Sequence, residues 1–164
     1  MSIKVYIWYQ RGSKWGHASM SLSDGTHISW WPSNEDGGKS GKKKAAPVHG
    51  MTLRDDINGE GRKPDETHKI PPGYIIEEDI KTWWTSFSME ENWRALDQNC
   101  ATVVYMALTE GSALSFVPDC ERGQYVSRII WTPGLVSNFV QRLIKHIERP
   151  EERRTPPKKG CKIL

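Results

Sequence analysis

The sequence predicts an α+β domain in which a small antiparallel β-sheet packs against three or four helices. Two observations predict this class. Apolar and polar residues alternate on both sides of an Asp24-Gly25 turn, a pattern typical of a β-hairpin. Apolar residues then recur at helical spacing later in the chain, most clearly over residues 135–147. A chain of 164 residues is long enough for one domain with a substantial core.

The N-terminal part predicts three strands, over residues 3–10, 16–23 and 26–31. Residues 11–15 are polar and contain a glycine, which indicates a turn between the first two strands. In the second strand, the alternation puts three polar side chains on one face: His17, Ser19 and Ser21.

Residues 33–69 are rich in Gly, Lys, Asp, Asn and Pro, which predicts a long polar loop or insertion with a short strand near 48–53. The lysine-rich segment 39–44 is interpreted as a solvated loop tip, with contact to phosphate as the alternative.

The second half predicts helices separated by short connections. Residues 74–76 suggest a short strand, and acidic residues then open a helix over 77–86. The spacing of Ser88 and Glu91 fits a capping box and predicts a further short helix from Met89. Residues 125–131 suggest a strand, and Thr132 followed by proline predicts the start of the last helix.

Cys100 is the centre of the functional prediction. Apolar residues follow it at the spacing of one buried helix face, and Asn99 precedes it as a predicted N-cap of a helix that ends near Gly111. A thiolate, the nucleophilic form of cysteine, is favoured at the positive end of a helix dipole. The alternative is a buried cysteine with no chemistry, because free cysteines are often buried.

Composition narrows the classes of function. Hydrophobic content is 37% and charged content 26%, as in ordinary soluble proteins, and we find no long apolar run or signal peptide. Three widely spaced cysteines predict a reducing compartment, and neither a disulfide framework, a metal site nor a cofactor is expected. A net charge of +3 is too small to predict nucleic-acid binding. Eight tryptophans exceed the needs of a small core, and three are predicted to line a substrate cleft: Trp15, Trp30 and Trp31.

The prediction divides the chain into a domain over residues 1–148 and a flexible basic tail over 149–164. The tail ends in Cys161-Lys162-Ile163-Leu164, which fits the C-a-a-X prenylation pattern apart from the lysine, and the terminal leucine favours geranylgeranyl. The expected partners are a prenyltransferase and a membrane surface, on the cytoplasmic face of eukaryotic or host membranes, with the protein cytosolic before lipidation.

A thiolate nucleophile usually works with a histidine that accepts its proton. Of the five histidines, His49 and His68 fall in the predicted loop and His146 on the polar side of the last helix. His17 and His27 remain on the hairpin. His17 is preferred because its face of the strand carries small polar residues, and a purely structural histidine is the alternative.

Three segments together resemble the circularly permuted papain-like enzymes, which include the lecithin:retinol acyltransferase-like and NlpC-type groups. They read GHASMSLSDG (16–25), ISWWP (28–32) and NCA (99–101), and the resemblance covers about residues 3–32 and 70–110. It implies a permuted papain-like fold with His17 as the base and Cys100 as the nucleophile. The third catalytic position aligns with Ser29, where relatives often have histidine, and His27 on the same strand is the alternative.

The resemblance implies acyl transfer through a thioester, with the oxyanion held by the Cys100 backbone N–H and the Gln98 side chain. The expected substrate is a protein or lipid acyl group at a membrane, and hydrolysis and transfer to an amine are both open. Two alternatives stay open as well. One is a membrane-anchored module without activity, and the other is a binder of anionic lipid or nucleic acid that uses residues 39–44 and the basic tail.

Overall fold

The computed structural model of the chain describes residues 2–32, 44–45, 50–91, 93–94 and 98–149. Its centre is an antiparallel four-stranded sheet in the order β3-β2-β1-β5. The strands of this sheet are β1 (Ile3–Trp8), β2 (His17–Ser21), β3 (His27–Ile28) and β5 (Glu66–Ile70). A separate two-stranded ladder pairs β4 (Lys44–Ala45) with β6 (Trp93–Arg94).

Five α-helices occur among the described residues, with a short 3₁₀ helix over Ala113–Phe116. They are α1 (Leu53–Glu60), α2 (Glu77–Glu90), α3 (Cys100–Glu110), α4 (Asp119–Val126) and α5 (Pro133–Glu148). The α+β class with a small antiparallel sheet is confirmed, with one helix more than predicted.

The two faces of the sheet are buried in different ways. Val5 of β1 and Met20 of β2 are opposite each other and lie in the apolar core with residues of α3 and α5. On the other face, Trp8 and His17 form a cross-strand pair, and α1 lies against β2. Side chains alternate along a strand, so the predicted polar side chains of β2 lie on this second face. Because α1 packs against that face, it is also inside the protein.

The prediction of a long loop over residues 33–69 is wrong for its second half. Helix α1 begins at the N-cap Thr52, whose side chain forms a capping box with Asp55, and ends at Gly61 in the left-handed conformation. Strand β5 then pairs with β1 from Ile3 to Ile7. The predicted short strand over 48–53 is not found at residues 50–53, where the chain instead enters α1.

Four other predictions of local structure are corrected. Residues 125–131 are not a strand, since the chain forms α4 through Val126. Residues 74–76 are not a strand and lead into α2, which continues to Glu90 so that no new helix begins at Met89. The third strand is shorter than predicted. The predicted start of the last helix is confirmed, because Thr132 caps α5 and Pro133 lies in its first turn.

Several predicted features lie outside the described residues. These are residues 39–43 of the lysine-rich segment, His49, and the tail from 150 onward with Cys161. Within the described part, no helix is both long enough and apolar enough to cross a bilayer.

Candidate active site

Cys100 is the first residue of α3, and Asn99 caps that helix as predicted. The Asn99 side-chain oxygen accepts hydrogen bonds from the backbone N–H groups of Ala101, at 2.9 Å, and Thr102, at 3.0 Å. The N–H of the first helical residue has no acceptor within the helix. Among the described residues, the Cys100 N–H is therefore the donor of the first turn for which we find no acceptor, and it lies directly beside its own sulfur.

His17 lies next to Cys100 at the start of β2, as the sequence predicted. Its imidazole lines the same depression as Cys100 and interacts electrostatically with the Cys100 side chain, and the His17 side chain is 2% exposed. The Trp31 indole stacks on the ring, with 4.3 Å between the ring centroids. The His17 Nε2 atom is 3.0 Å from the Ser29 hydroxyl, so Nδ1 is the ring nitrogen left to exchange a proton with the thiol.

Ser29 connects His17 to a buried carboxylate that the sequence did not predict. The Ser29 hydroxyl donates to Asp56 Oδ1 at 2.5 Å, and the same oxygen is 3.4 Å from His17 Nε2. A hydroxyl has one proton to donate, so the Ser29 oxygen accepts from the His17 Nε2–H. The predicted third residue is therefore at the predicted place, but the acid it serves is Asp56 in α1.

Asp56 is fully buried and accepts two further hydrogen bonds, from His27 Nε2 and from Trp31 Nε1, both at 2.8 Å. Burial alone would raise the pKa of Asp56, but the hydrogen bonds from His17 and His27 outweigh it and hold the pKa well below its ordinary value. The carboxylate therefore stays charged and fixes which nitrogen of His17 carries the proton.

Both ring nitrogens of His27, the alternative third residue, are bound to other side chains. One ring nitrogen binds Asp56 and the other is 2.9 Å from the Ser21 hydroxyl, so the ring is turned towards α1. The position of His27 is explained by its strand, because residues 27 and 29 share a face. Its role in the geometry is to hold the carboxylate that holds His17.

The charge on His17 follows from its neighbours. Burial lowers the pKa of His17, but the negative charges of the Cys100 thiolate and of Asp56 more than offset this and raise it to about 9. At neutral pH the arrangement therefore favours a charged imidazolium at His17, in the depression that also contains the Cys100 sulfur.

Two depressions meet at Cys100. One, of about 230 Å³, contains His17 and Trp31. The other, of about 470 Å³, lies on the side of α5 and is largely apolar, with Ile130 and Pro133 in its wall. Trp15 and Cys100 line both, so the exposed Trp15 indole stands between them.

The three tryptophans predicted to bind substrate have different positions. Trp15 and Trp31 line the cleft around Cys100, which agrees with the prediction. Trp30 reaches the cleft only at its floor, since it is 1% exposed, packs on Phe87 and donates its Nε1–H to the Gln98 carbonyl at 3.1 Å. Trp30 is thus mainly a core residue.

Gln98, which was predicted to help hold the oxyanion, is bound to a neighbouring carboxylate. Its amide nitrogen donates to the Glu91 carboxylate at 2.8 Å, and the side chain is 4% exposed. An amide group has two N–H donors, so this bond uses one of them. The Cys100 N–H, set by the helix start, is the better placed of the two predicted donors.

Two more histidines differ from their predicted settings. His68 is part of β5 and lies 3.0 Å from the Ser137 hydroxyl and 2.9 Å from Glu66. His146 is buried and lies 3.3 Å from Glu121. Among the described residues, we find no group of three or more His, Cys, Asp or Glu side chains arranged to hold a metal ion.

Gly16 positions the start of β2 beside the nucleophile. Its φ is +81°, and an added Cβ atom would lie 2.4 Å from the Trp8 carbonyl oxygen, a backbone atom at the end of β1. Only glycine fits this close approach at a left-handed backbone angle. The glycine before the histidine is therefore what lets His17 pair with Trp8 and face Cys100.

Asp56 is the functional residue that sequence reasoning missed. The available signal was local: Thr52 and Asp55 have the spacing of a capping box, and Gly61 ends the segment. These two signals give the start and the end of the short helix α1, and Asp56 is its fourth residue.

Comparison with protein-family models, with curated proteins and with solved structures finds no match for this chain. The resemblance to permuted papain-like enzymes therefore stays a prediction, and the functional argument depends on the geometry of the site.

Proposed function

We propose that this chain is a cysteine-dependent acyl-transfer enzyme, that is, a thiol hydrolase, peptidase or amidase, or an acyltransferase. One observation carries the proposal. The imidazole of His17 lines the same depression as Cys100, interacts electrostatically with it, and is linked through Ser29 to the buried carboxylate of Asp56. A nucleophile, a base and a group that orients the base are the three parts that covalent acyl transfer requires.

The roles follow from the contacts. His17 takes the Cys100 proton, and the thiolate attacks the carbonyl carbon of the substrate to form a carbon–sulfur bond and an oxyanion. The Cys100 N–H donates to that oxyanion. The oxyanion collapses, the bond to the leaving group breaks, and His17 returns its proton to that group. Water or an amine then attacks the thioester, with His17 accepting the proton and Cys100 leaving as the thiol.

The test is to trap the thioester. With a p-nitrophenyl acyl ester, we expect a burst of nitrophenol and a mass increase of one acyl group on Cys100. Cys100→Ala removes both signals. His17→Ala slows acylation by about 10²–10⁴-fold, the usual contribution of an acid–base residue.

The control is Cys120→Ser, because Cys120 is an exposed thiol on α4 away from the site. We expect this variant to keep the full burst. A burst that depends on Cys120, or no acyl group on either cysteine across esters of different chain length, would favour the alternative of a module without activity.

Membrane anchoring is the second part of the proposal. It is supported by the sequence at Cys161, with five basic residues between 153 and 162 as the additional signal that a single lipid chain needs. A mass increase of one geranylgeranyl group on Cys161, in protein made in eukaryotic cells, tests it. Such an anchor would keep the enzyme close to a lipid or membrane-bound protein substrate.

A further inference from the structure

Exposed apolar side chains surround one side of the cleft at Cys100. Trp15 is 63% exposed and Ile130 is 49% exposed, and both line the larger depression. Just before Ile130 in the chain, Val126 and Ile129 are 63% and 76% exposed. We call these four side chains, Trp15, Val126, Ile129 and Ile130, the rim patch.

The rim patch is unusual because of where it lies. Single exposed apolar residues are common on protein surfaces and need no explanation. Here, however, two of the exposed large apolar residues of the described chain line the cleft that contains Cys100, and two more precede Ile130 by one and four positions in the chain. Apolar residues grouped around an opening mark a surface that meets an apolar partner.

A cationic groove adjoins the rim patch. It lies between α4 and α5, measures about 450 Å³, and shares Trp131 with the apolar depression. The Arg128 guanidinium lies 5.7 Å from the centroid of the Trp131 ring. Arg142 and Lys145 also line the groove, and none of the described residues lining it is acidic, although Arg142 pairs with nearby Glu121 at 3.0 Å.

We propose that the rim patch docks on a bilayer that contains anionic lipid. Isoleucine and valine side chains enter the boundary between headgroups and acyl chains, and a tryptophan fits the same boundary because its indole has an apolar body and a polar N–H. Arg128 and the neighbouring groove then face anionic headgroups. A soluble apolar partner would explain the isoleucines but would make no use of the adjoining positive charge.

This orientation on the membrane also indicates a class of substrate. The cleft would open towards the membrane, so that Cys100 lies at the depth where an ester or amide carbonyl joins an acyl chain to a polar group. The apolar depression would hold the acyl chain. This part of the inference rests on the proposed acyl-transfer function, whereas the docking itself does not.

The test uses the full chain carrying Cys161→Ser, so that no lipid anchor contributes. We expect it to float with vesicles of equimolar phosphatidylcholine and phosphatidylserine, and more weakly with phosphatidylcholine alone. Val126→Ser combined with Ile129→Ser should weaken the binding about tenfold or more, because two buried apolar side chains are lost. Met89→Ser on α2 is the matched control, since Met89 is 75% exposed, and it should bind as before.

Two further measurements distinguish lost membrane docking from a loss of folding. Neither Val126 nor Ile129 lines the cleft, so the rate at which iodoacetamide labels Cys100 should be unchanged in the double variant. Brominated phosphatidylcholine should quench tryptophan fluorescence, and Trp15→Phe should remove most of that quenching. This measurement does not depend on the double variant being folded.

The inference is overturned if the Cys161→Ser protein does not float, if the double variant floats as well as its parent, or if light scattering shows a dimer that the double variant dissolves. In the last case the rim patch joins two copies of the chain. Vesicle binding together with unreactive Cys100 would retain the docking and reject the proposed enzyme.

Discussion

Asp56→Ala is expected to lower the free energy of unfolding by about 3–5 kcal/mol, because it removes a buried charge from groups that are arranged around it. His27, Ser29 and Trp31 would lose their acceptor inside the protein, where water cannot replace it. Denaturation by urea, followed by circular dichroism, measures the change. Asp79→Asn, at an exposed position on α2, should stay within about 0.5 kcal/mol of the parent.

Asp56→Asn separates the catalytic effect from the structural one. Asparagine keeps the shape and one acceptor oxygen, so we expect a smaller loss of stability, about 1–3 kcal/mol. The charge that favours the His17 imidazolium is lost, and kcat/KM should fall by about 10²–10⁴-fold. An Asn variant with the parent's kcat/KM would show that Asp56 only supports the fold.

The pH dependence of stability gives a further check on Asp56. Because its pKa is lowered in the folded state, its contribution is present above its ordinary pKa of 3.8 and decreases as the pH falls. Asp56→Asn should therefore weaken the dependence of the unfolding free energy on acid pH.

His17 is expected to produce the second large effect, an alkaline limit to activity near pH 9. The imidazolium must protonate the leaving group, and its pKa is raised to about 9 by the negative charges at Cys100 and Asp56 against the opposing effect of burial. kcat/KM should therefore fall as the pH rises through that value. His17→Ala should lower kcat/KM by about 10²–10⁴-fold and abolish the alkaline limit.

The raised pKa of His17 also predicts that the free energy of unfolding decreases at alkaline pH. A raised pKa means that the contribution of His17 to the unfolding free energy is complete below its ordinary pKa of 6.5 and is lost as the pH rises through about 9. His68→Gln is the control for a histidine outside the site and should keep the alkaline limit of activity. If that limit persists in His17→Ala, another group is the acid.

Local rules explain why the positions of Cys100 and His17 could be predicted from the sequence. An asparagine cap followed by apolar residues at helical spacing identifies the start of α3 and so places Cys100 there. Alternation around the Asp24-Gly25 turn identifies the strand that carries His17. Both signals come from neighbouring residues, and neither requires knowledge of a distant contact.

The acid could not be predicted in the same way because its helix is weakly marked. Helix α1 has eight residues and few apolar ones, so its stability depends on its caps and on contacts with the sheet. Strand β5 has a mixture of exposed and partly buried polar residues and is held by its pairing with β1. Segments that are stabilised by tertiary contacts resemble a polar loop when the sequence is read alone.

The contact that Gln98 makes with Glu91 could not be predicted for a similar reason. Its position before Cys100 suggests an oxyanion donor, but the direction of its amide is set by Glu91, seven residues earlier. Such a contact depends on how the connection between α2 and α3 folds, and no spacing rule predicts it. The Cys100 N–H, by contrast, follows from the helix geometry itself.

The central claim is that His17 activates Cys100, and the rate of alkylation by iodoacetamide at pH 6 tests it most directly. An ordinary thiol, with a pKa near 8.5, reacts very slowly at that pH. The chain contains its own reference, since Cys120 is exposed and Cys100 is only partly so. The account predicts that Cys100 is labelled faster than Cys120, and that His17→Ala reverses the order. Faster labelling of Cys120 in the unsubstituted protein would contradict it.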